Sequence, residues 1–541
     1  VTGRERAPAP ATPSWAELVS AALVGTDRRI PAGLAAGADD PAVALLDAAA
    51  VAAVRRRAGA RPVRAAVRPR PAVRDTRPVV PQAARGRLAA LLSERSGAGP
   101  SAGRRGTAPS LGELLPQWLA AANAYGYRAP EEALPALLDA ARARTDLRPD
   151  ALTLAGPRAL WLAELNPDWR FALRAANRSA AGDAAADPRA TRRLWEEGLF
   201  AERVALLSGL RTTDPAAGLA LLRTTWQRER AEDRLMFADS LRTGLSLADE
   251  DFLEQALADR SRTVRATAAE LLAALPGSAL AARMGERAVR CVFLRHGASG
   301  PHIAVAAPHA CDAAMERDGV SPVPPSGRGE RAWWFGQLVE AAPLAVWTRV
   351  FGGLRPEEIT ALPVDDDWQP DLHAAWCRAA VRQRDPGWAR ALLGPPPGPA
   401  GVVASMGDPA KLLSVLPEDE RAAWVARFID SHGLSEAFQM LGACAVPWAE
   451  PLGRAVVDAL EIAREAGSYP WSFSGVMGLA ERCLDPAQAN RLTPLTATPE
   501  DPPDGSPGAT AYWTEAFQRL VSTLRLRAAM LSELAPPPAP S

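Results

Sequence analysis

Five residues able to ligate a metal ion fall within one short stretch, in the pattern Cys291-x4-His296-x5-His302-x6-His309-x-Cys311. Thiolate and imidazole donors are the usual ligands of zinc. Recognised zinc motifs, however, bring ligands together as close pairs on both sides, and here only His309-x-Cys311 is close. The run RAVRCVFLRHGASGPHIAVAAP supplies a simpler reading. Two stretches rich in Val, Phe and Ile flank HGASG, which predicts a β-hairpin at about 288–307. With Cys291 on one strand and His302 on the other, the two can face either side of such a ribbon. No metal or other cofactor is assigned on this basis, and the five residues stand only as metal candidates.

Other chemistries are excluded more firmly. A P-loop needs Gly-x-x-x-x-Gly-Lys-Ser/Thr to hold phosphates, and the one lysine of the chain, Lys411, lies in GDPAKLL with Leu412 after it. The same scarcity leaves a single side-chain amine for Schiff-base chemistry. There is no His-Glu-x-x-His, and VASMG around Ser405 and SFSGV around Ser474 lack the first glycine of a nucleophile elbow. The expectation is a protein that is not an enzyme. Asp365-Asp366-Asp367 could meet a divalent cation, but adjacent side chains diverge, so they are read as an exposed capping region before LHAAWCRAAVRQR. Asp259, Arg260 and Arg265 are read as polar contacts that fix an interhelical turn. Thr26, Arg28 and Arg29 in GTDRR are candidates for a docking loop, against the plainer reading of a helix C-cap and an exposed basic turn.

Formal charge balances, 62 basic against 62 acidic residues, so no global field points to nucleic acid or membrane as a partner. The distribution is uneven: between Arg55 and Arg105 fourteen arginines face only Asp75 and Glu94. The Arg55–Arg77 arm could attract phosphates, with a steep salt dependence. It carries no aromatic side chain to stack on bases, so a solvated linker shaped by codon bias is the favoured reading. Five cysteines without a Cys-x-x-Cys pair imply reduced, mostly buried thiols. No apolar run approaches the ~20 residues that span a bilayer. Val1–Pro13 has no apolar core of the signal-peptide kind, and a cytoplasmic location is expected.

The elements that must position these residues are helical. Ala and Leu dominate the apolar half of the composition, a balance that favours helix over sheet. In Ser246–Arg290, Asp249 can cap a helix burying Phe252, Leu253, Ala256 and Leu257. A second helix then buries Val264, Ala268, Leu271, Leu272 and Leu275, and Pro276-Gly277 stops it. Helix starts near Asp214, Ala231, Asp249 and Arg262 give pairs close to a solenoid repeat. The expected fold is therefore all-α, a HEAT-like superhelical array with one hairpin insertion. Its expected segments are an N-terminal helical part (1–58), a basic Pro/Arg-rich linker (59–110) holding one helix at about 81–95, and repeats over 111–287. The hairpin and its loop (288–330), further repeats (331–492), a second linker (493–511) and a terminal helix with a proline-rich tail (512–541) complete the chain. In that helix Trp513, Phe517, Leu520, Val521 and Leu524 form one apolar stripe.

SWAELVSAALVGTDRR, LPQWLAAANAYGYRAPEEALPALLDAA, GPRALWLAELNPDW and LADRSRTVRATAAELLAALPGSALAARM, in this order, resemble an uncharacterised bacterial family of helical-repeat proteins. The resemblance runs from about Trp15 to Phe351 and more loosely to Leu531. Genes of that family commonly lie near those for a SWIM zinc-finger protein, a MoxR-type AAA+ ATPase and a von Willebrand factor A domain protein. The resemblance implies a scaffold or adaptor working with such an ATPase, and carries over no catalytic residues.

Overall fold

The computed structural model describes residues 13–28, 30–31, 34, 40–59, 70–93, 111–176, 187–298, 300–395, 409–497 and 509–536. Among them the chain is helical apart from a single two-stranded antiparallel hairpin. It divides into two compact units, Val1–Ala72 and Val73–Ser541. In the first, Ser14 and Glu17 close a capping box on the helix Trp15–Val24, which ends at Gly25 with φ +92°. That helix packs on Pro41–Gly59 through Leu18, Ala21 and Leu45. Trp15, Leu23, Leu46 and Val54 stay exposed, and the Arg56 guanidinium lies 5.2 Å from the Trp15 ring centre.

In the second unit the element around Ser246 follows the apolar spacing, with one correction. Phe252, Leu253, Ala256, Leu257, Val264, Ala268, Leu271 and Leu272 are buried as the period requires, and Leu275 is half-buried. Asp249, however, makes no side-chain cap on the helix Glu250–Ala256 itself. Ser246 caps a short 3-10 turn, Leu247–Asp249, that leads into that helix, and the Asp249 carboxylate closes the capping box on this turn by accepting from Ser246 N–H (3.0 Å) while forming a buried pair with Arg211.

Two hydrophobic cores build this unit. One runs from Trp195 to Leu524; the other is formed by residues between Val80 and Ala172 together with Met530 and Leu534. The terminal helix Ala509–Leu534 joins them: Trp513, Phe517, Leu520, Val521 and Leu524 enter the first core, and its last turns enter the second, against Gln82–Ser93 and Leu111–Ala124. Helices pack both on the next helix in the chain, as Arg262–Ala273 does on Glu250–Ala256, and on later ones, as Gln369–Gln383 does on Glu330–Ala341. The return of the last helix to the first ones adds a contact that an open array, in which each repeat touches only its neighbours, does not contain.

The hairpin forms where the Val/Phe/Ile pattern places it, β1 (Val292–Gly297) against β2 (Gly300–Val305), with Val292 opposite Val305 and His296 opposite Pro301. Val364 adds a parallel bridge to Ile303, fixed by Ile303 N–H donating to Pro363 O (2.8 Å) and Asp365 N–H to Ile303 O (2.9 Å). The capping role expected for Asp365–Asp367 is not found. Trp368 occupies the N-cap of the helix Gln369–Gln383 without a side-chain bond, while Asp366 and Asp367 turn the chain with φ of +55° and +58°.

The stretch read as a linker is in part docked. Val80 is fully buried, Val79 bridges Arg128, and Arg77 pairs with Asp75 (2.8 Å) while donating to the carbonyls of Tyr127 and Thr153. Gly156, with φ +60°, lets this pair approach: a Cβ there would lie 2.4 Å from Arg77 Nη2 and 2.5 Å from Asp75 Oδ2. Residues 60–69 and 94–110 of the expected linker lie outside the described residues. At the second expected linker, Thr493–Thr496 forms a 3-10 turn that buries Leu495, and 498–508 lie outside the described residues.

Candidate functional site

The hairpin separates the metal candidates rather than gathering them. Facing pairs of an antiparallel ribbon share a side, and successive residues alternate. Arg295 pairs with His302, so His302 shares a side with Cys291, four residues and about 13 Å along the strand. His296 points to the other side. Cys291 sinks into the first core, and His309 is exposed beyond the hairpin. His302 instead meets Asp365, Nε2 to Oδ2 at 3.4 Å, with Nδ1 3.3 Å from Gly300 O. Among the described residues no group of three or more His, Cys, Asp or Glu side chains is placed to hold a metal ion.

Burial governs the thiols. It pushes Cys377 up to about 12 and Cys444 to about 11, and raises Cys291, Cys311 and Cys483 as well. Only Cys311 and Cys483 keep partial exposure. Since the thiolate is the nucleophile, alkylation of the native protein at pH 8 is expected at Cys311 and Cys483 alone, with Cys291, Cys377 and Cys444 reacting after denaturation. Peptide mapping after timed iodoacetamide treatment checks this; native modification of Cys377 would contradict it.

The LADRSR residues act in the turn. Asp259 pairs with Arg234 (2.8 Å) and accepts from Ser261 N–H, and Arg265 donates to the carbonyls of Asp259 and Arg260. In the candidate docking loop, Arg28 N–H closes a turn onto Gly25 O with its side chain exposed, Thr26 is half-buried, and Arg29 lies outside the described residues.

A different site emerges from packing. Between the helices Arg262–Ala273 and Gln369–Gln383 lies a cavity of about 900 Å³. Arg242, Arg378, Arg382, Arg384 and Lys411 line it, against the carboxylates of Glu270 and Glu340. Arg378 and Arg382, one turn apart on the same helix face, both pair with Glu340. Arg242 is held by Glu270 (2.9 Å) and Asp239 (2.6 Å), and these partners raise its pKa. Arg384 closes the helix at its C-cap with φ +53° and ψ +47°, a left-handed conformation that costs a non-glycine residue about 1–2 kcal/mol. A smaller hollow of about 230 Å³ adjoins, sharing Glu270, Glu340 and Arg382 and lined otherwise by Asp318, Gln337 and apolar groups such as Leu280, Met284 and Trp333. Sequence reasoning missed this site because arginines occur throughout the chain. The one available signal was Lys411, the sole lysine of a protein whose other basic residues are all arginine.

A family model, described as a family of unknown function, matches residues 17–534. The chain belongs to this family, DUF5691. Curated proteins and solved structures gave no match. The DUF5691 match takes in the cavity, the hairpin and the whole of the terminal helix. Among the described residues no helix is long and apolar enough to cross a membrane.

Proposed function

We propose that this protein is a non-catalytic scaffold or adaptor that binds other proteins, working beside a MoxR-type ATPase, a von Willebrand factor A domain protein or a SWIM zinc-finger protein. The cavity walled by Arg262–Ala273 and Gln369–Gln383 is the observation that carries this reading. Stacked helices there leave a concave surface with several guanidiniums, and arginine is among the side chains that most often carry binding energy at protein interfaces. The test is affinity purification of the tagged protein from its native host, with and without ATP, followed by mass spectrometry. Stoichiometric recovery of such an ATPase or von Willebrand factor A domain protein is expected. Recovery of the chain alone under both conditions would overturn the proposal.

A further inference from the structure

The N-terminal unit carries an apolar surface on a helix that is already packed on its other side. From Pro41 to Val54 the helix Pro41–Gly59 reads PAVALLDAAAVAAV, with Asp47 its one polar residue. Two apolar stripes therefore run along it at helical spacing. Pro41, Leu45, Ala48 and Ala52 form the first, which is turned inward: Leu45 is buried, Ala48 and Ala52 pack beside it, and Leu18 and Ala21 of Trp15–Val24 complete the contact. Val43, Leu46, Ala50 and Val54 form the second, and there Val43 is 52%, Leu46 68% and Val54 65% exposed. A helix that is apolar on opposite sides is ordinarily covered on both. The contact with Trp15–Val24 covers one, and its three buried side chains make a small core for two helices.

Charge along the second stripe selects what covers it. Continued to Arg57, the stripe advances by three or four residues at each step and spans four turns, about 21 Å. Asp40, which caps the helix, and Asp47 flank its start, and the exposed Arg57 ends it. We infer that this stripe is a homodimer interface, on which the same helix of a second copy lies antiparallel and crosses at Ala50. In that register Leu46 meets Val54 of the other copy. Arg57 falls opposite Val43, whose same-face neighbours three residues before and four after are Asp40 and Asp47. Each contact occurs twice, as a two-fold interface requires. The small Ala50 side chain at the centre lets the two backbones come close. A parallel pair would instead set Arg57 against Arg57 and Asp47 against Asp47. A membrane surface suits the stripe less well, because an interfacial helix needs a polar face along its length, and before Arg55 this helix offers only Asp47.

The test is sedimentation velocity and light scattering on the full-length protein over roughly a hundredfold range of concentration. A reversible dimer is expected. Leu46→Glu, which alters an exposed side chain, should weaken it on the order of tenfold or more, while circular dichroism and the urea midpoint stay those of the parent. Charge pairing is read separately. Asp47→Arg and Arg57→Asp should each weaken the dimer several-fold, and the two combined in one chain should dimerise more tightly than either alone. Ala50→Cys reads the geometry, since an antiparallel crossing brings this position together in the two copies and keeps Val43 about 21 Å from its counterpart. Mild oxidation should then link Ala50→Cys chains through that residue and leave Val43→Cys at the parent level. A protein that stays monomeric at every concentration would overturn the inference, whether the stripe is then found against another host protein or against the rest of this chain. A dimer unchanged by Leu46→Glu, a double charge variant weaker than both singles, or equal cross-linking at positions 43 and 50 would overturn it too.

Discussion

Replacing Arg211 with methionine is expected to lower the unfolding free energy by about 3–5 kcal/mol, the range found when one member of a buried ion pair is removed. Arg211 and Asp249 are each buried to within a few per cent, and the pair is bidentate, Nη1 to Oδ1 and Nη2 to Oδ2 at 2.8 Å each. The guanidinium also donates to the carbonyls of Thr243, Pro215, Gly244 and Leu241. It therefore ties the end of Phe200–Thr213 to the turn that follows Ala231–Ser240 and to the start of the 250–256 helix. Methionine would leave the Asp249 carboxylate in the core with only the Ser246 N–H, and several carbonyls without donors. Arg211→Lys keeps the charge but supplies three donors from one point in place of a planar fork, so an intermediate loss is expected. The double change Arg211→Met with Asp249→Leu should recover part of the loss, because the stranded charge disappears while the carbonyls stay unpaired. Urea unfolding midpoints for the four proteins check the order. A lysine variant as stable as the parent would show that charge, not the fork, holds this junction.

That junction also shows where the sequence is legible and where it is not. The stripe Trp513, Phe517, Leu520, Val521 and Leu524 can be read because helical period is local, and every member is buried. The hairpin can be read because β-branched and aromatic residues around a glycine-rich turn are local too. Asp249 sits at a position where a capping carboxylate is common, and nothing nearby reveals that its partner is 38 residues upstream. Arg211 is hidden for the same reason, as one arginine among dozens. The Cys291–Cys311 spacing misleads because a strand separates neighbours onto opposite sides and four residues by more than a metal's reach. Asp365 is drawn away from a capping role by its N–H bond to Ile303 O beside the Val364–Ile303 bridge, a tertiary pairing between segments about sixty residues apart. The cavity lies furthest from view, since its lining comes from helix faces that meet only after folding, and ordinary arginines write no pattern.

Ending the chain at Leu524 is expected to uncouple the two cores. The first keeps Trp513, Phe517, Leu520, Val521 and Leu524, all within the retained part of the terminal helix. The second loses Met530 and Leu534, each buried to within 3 per cent, with truncation costs for such side chains of about 2–5 kcal/mol apiece. Polar ties go with them. Glu533 no longer pairs with Arg87 (2.7 Å), and the Tyr127 hydroxyl loses the Leu534 carbonyl (3.0 Å). Arg527 is the most telling loss. Its buried guanidinium, with its pKa lowered by desolvation, bridges Gln117 Oε1 (2.9 Å) on the Leu111–Ala124 helix to the carbonyls of Glu481 and Leu484 beside the Ser474–Cys483 helix. It thereby links residues of both cores without an acidic partner, which makes its position dependent on the carbonyls around it. Hydrogen exchange should show protection falling by orders of magnitude in Gln82–Ser93 and Leu111–Ala124, while Arg262–Ala273 and Gln369–Gln383 keep theirs. Leu534→Ala should produce the same pattern in weaker form, because it removes one anchor and leaves Arg527 in place. Equal loss of protection in both regions would mean that the cores unfold as one cooperative body, and that the terminal helix is an internal strut rather than the joint between two separable parts.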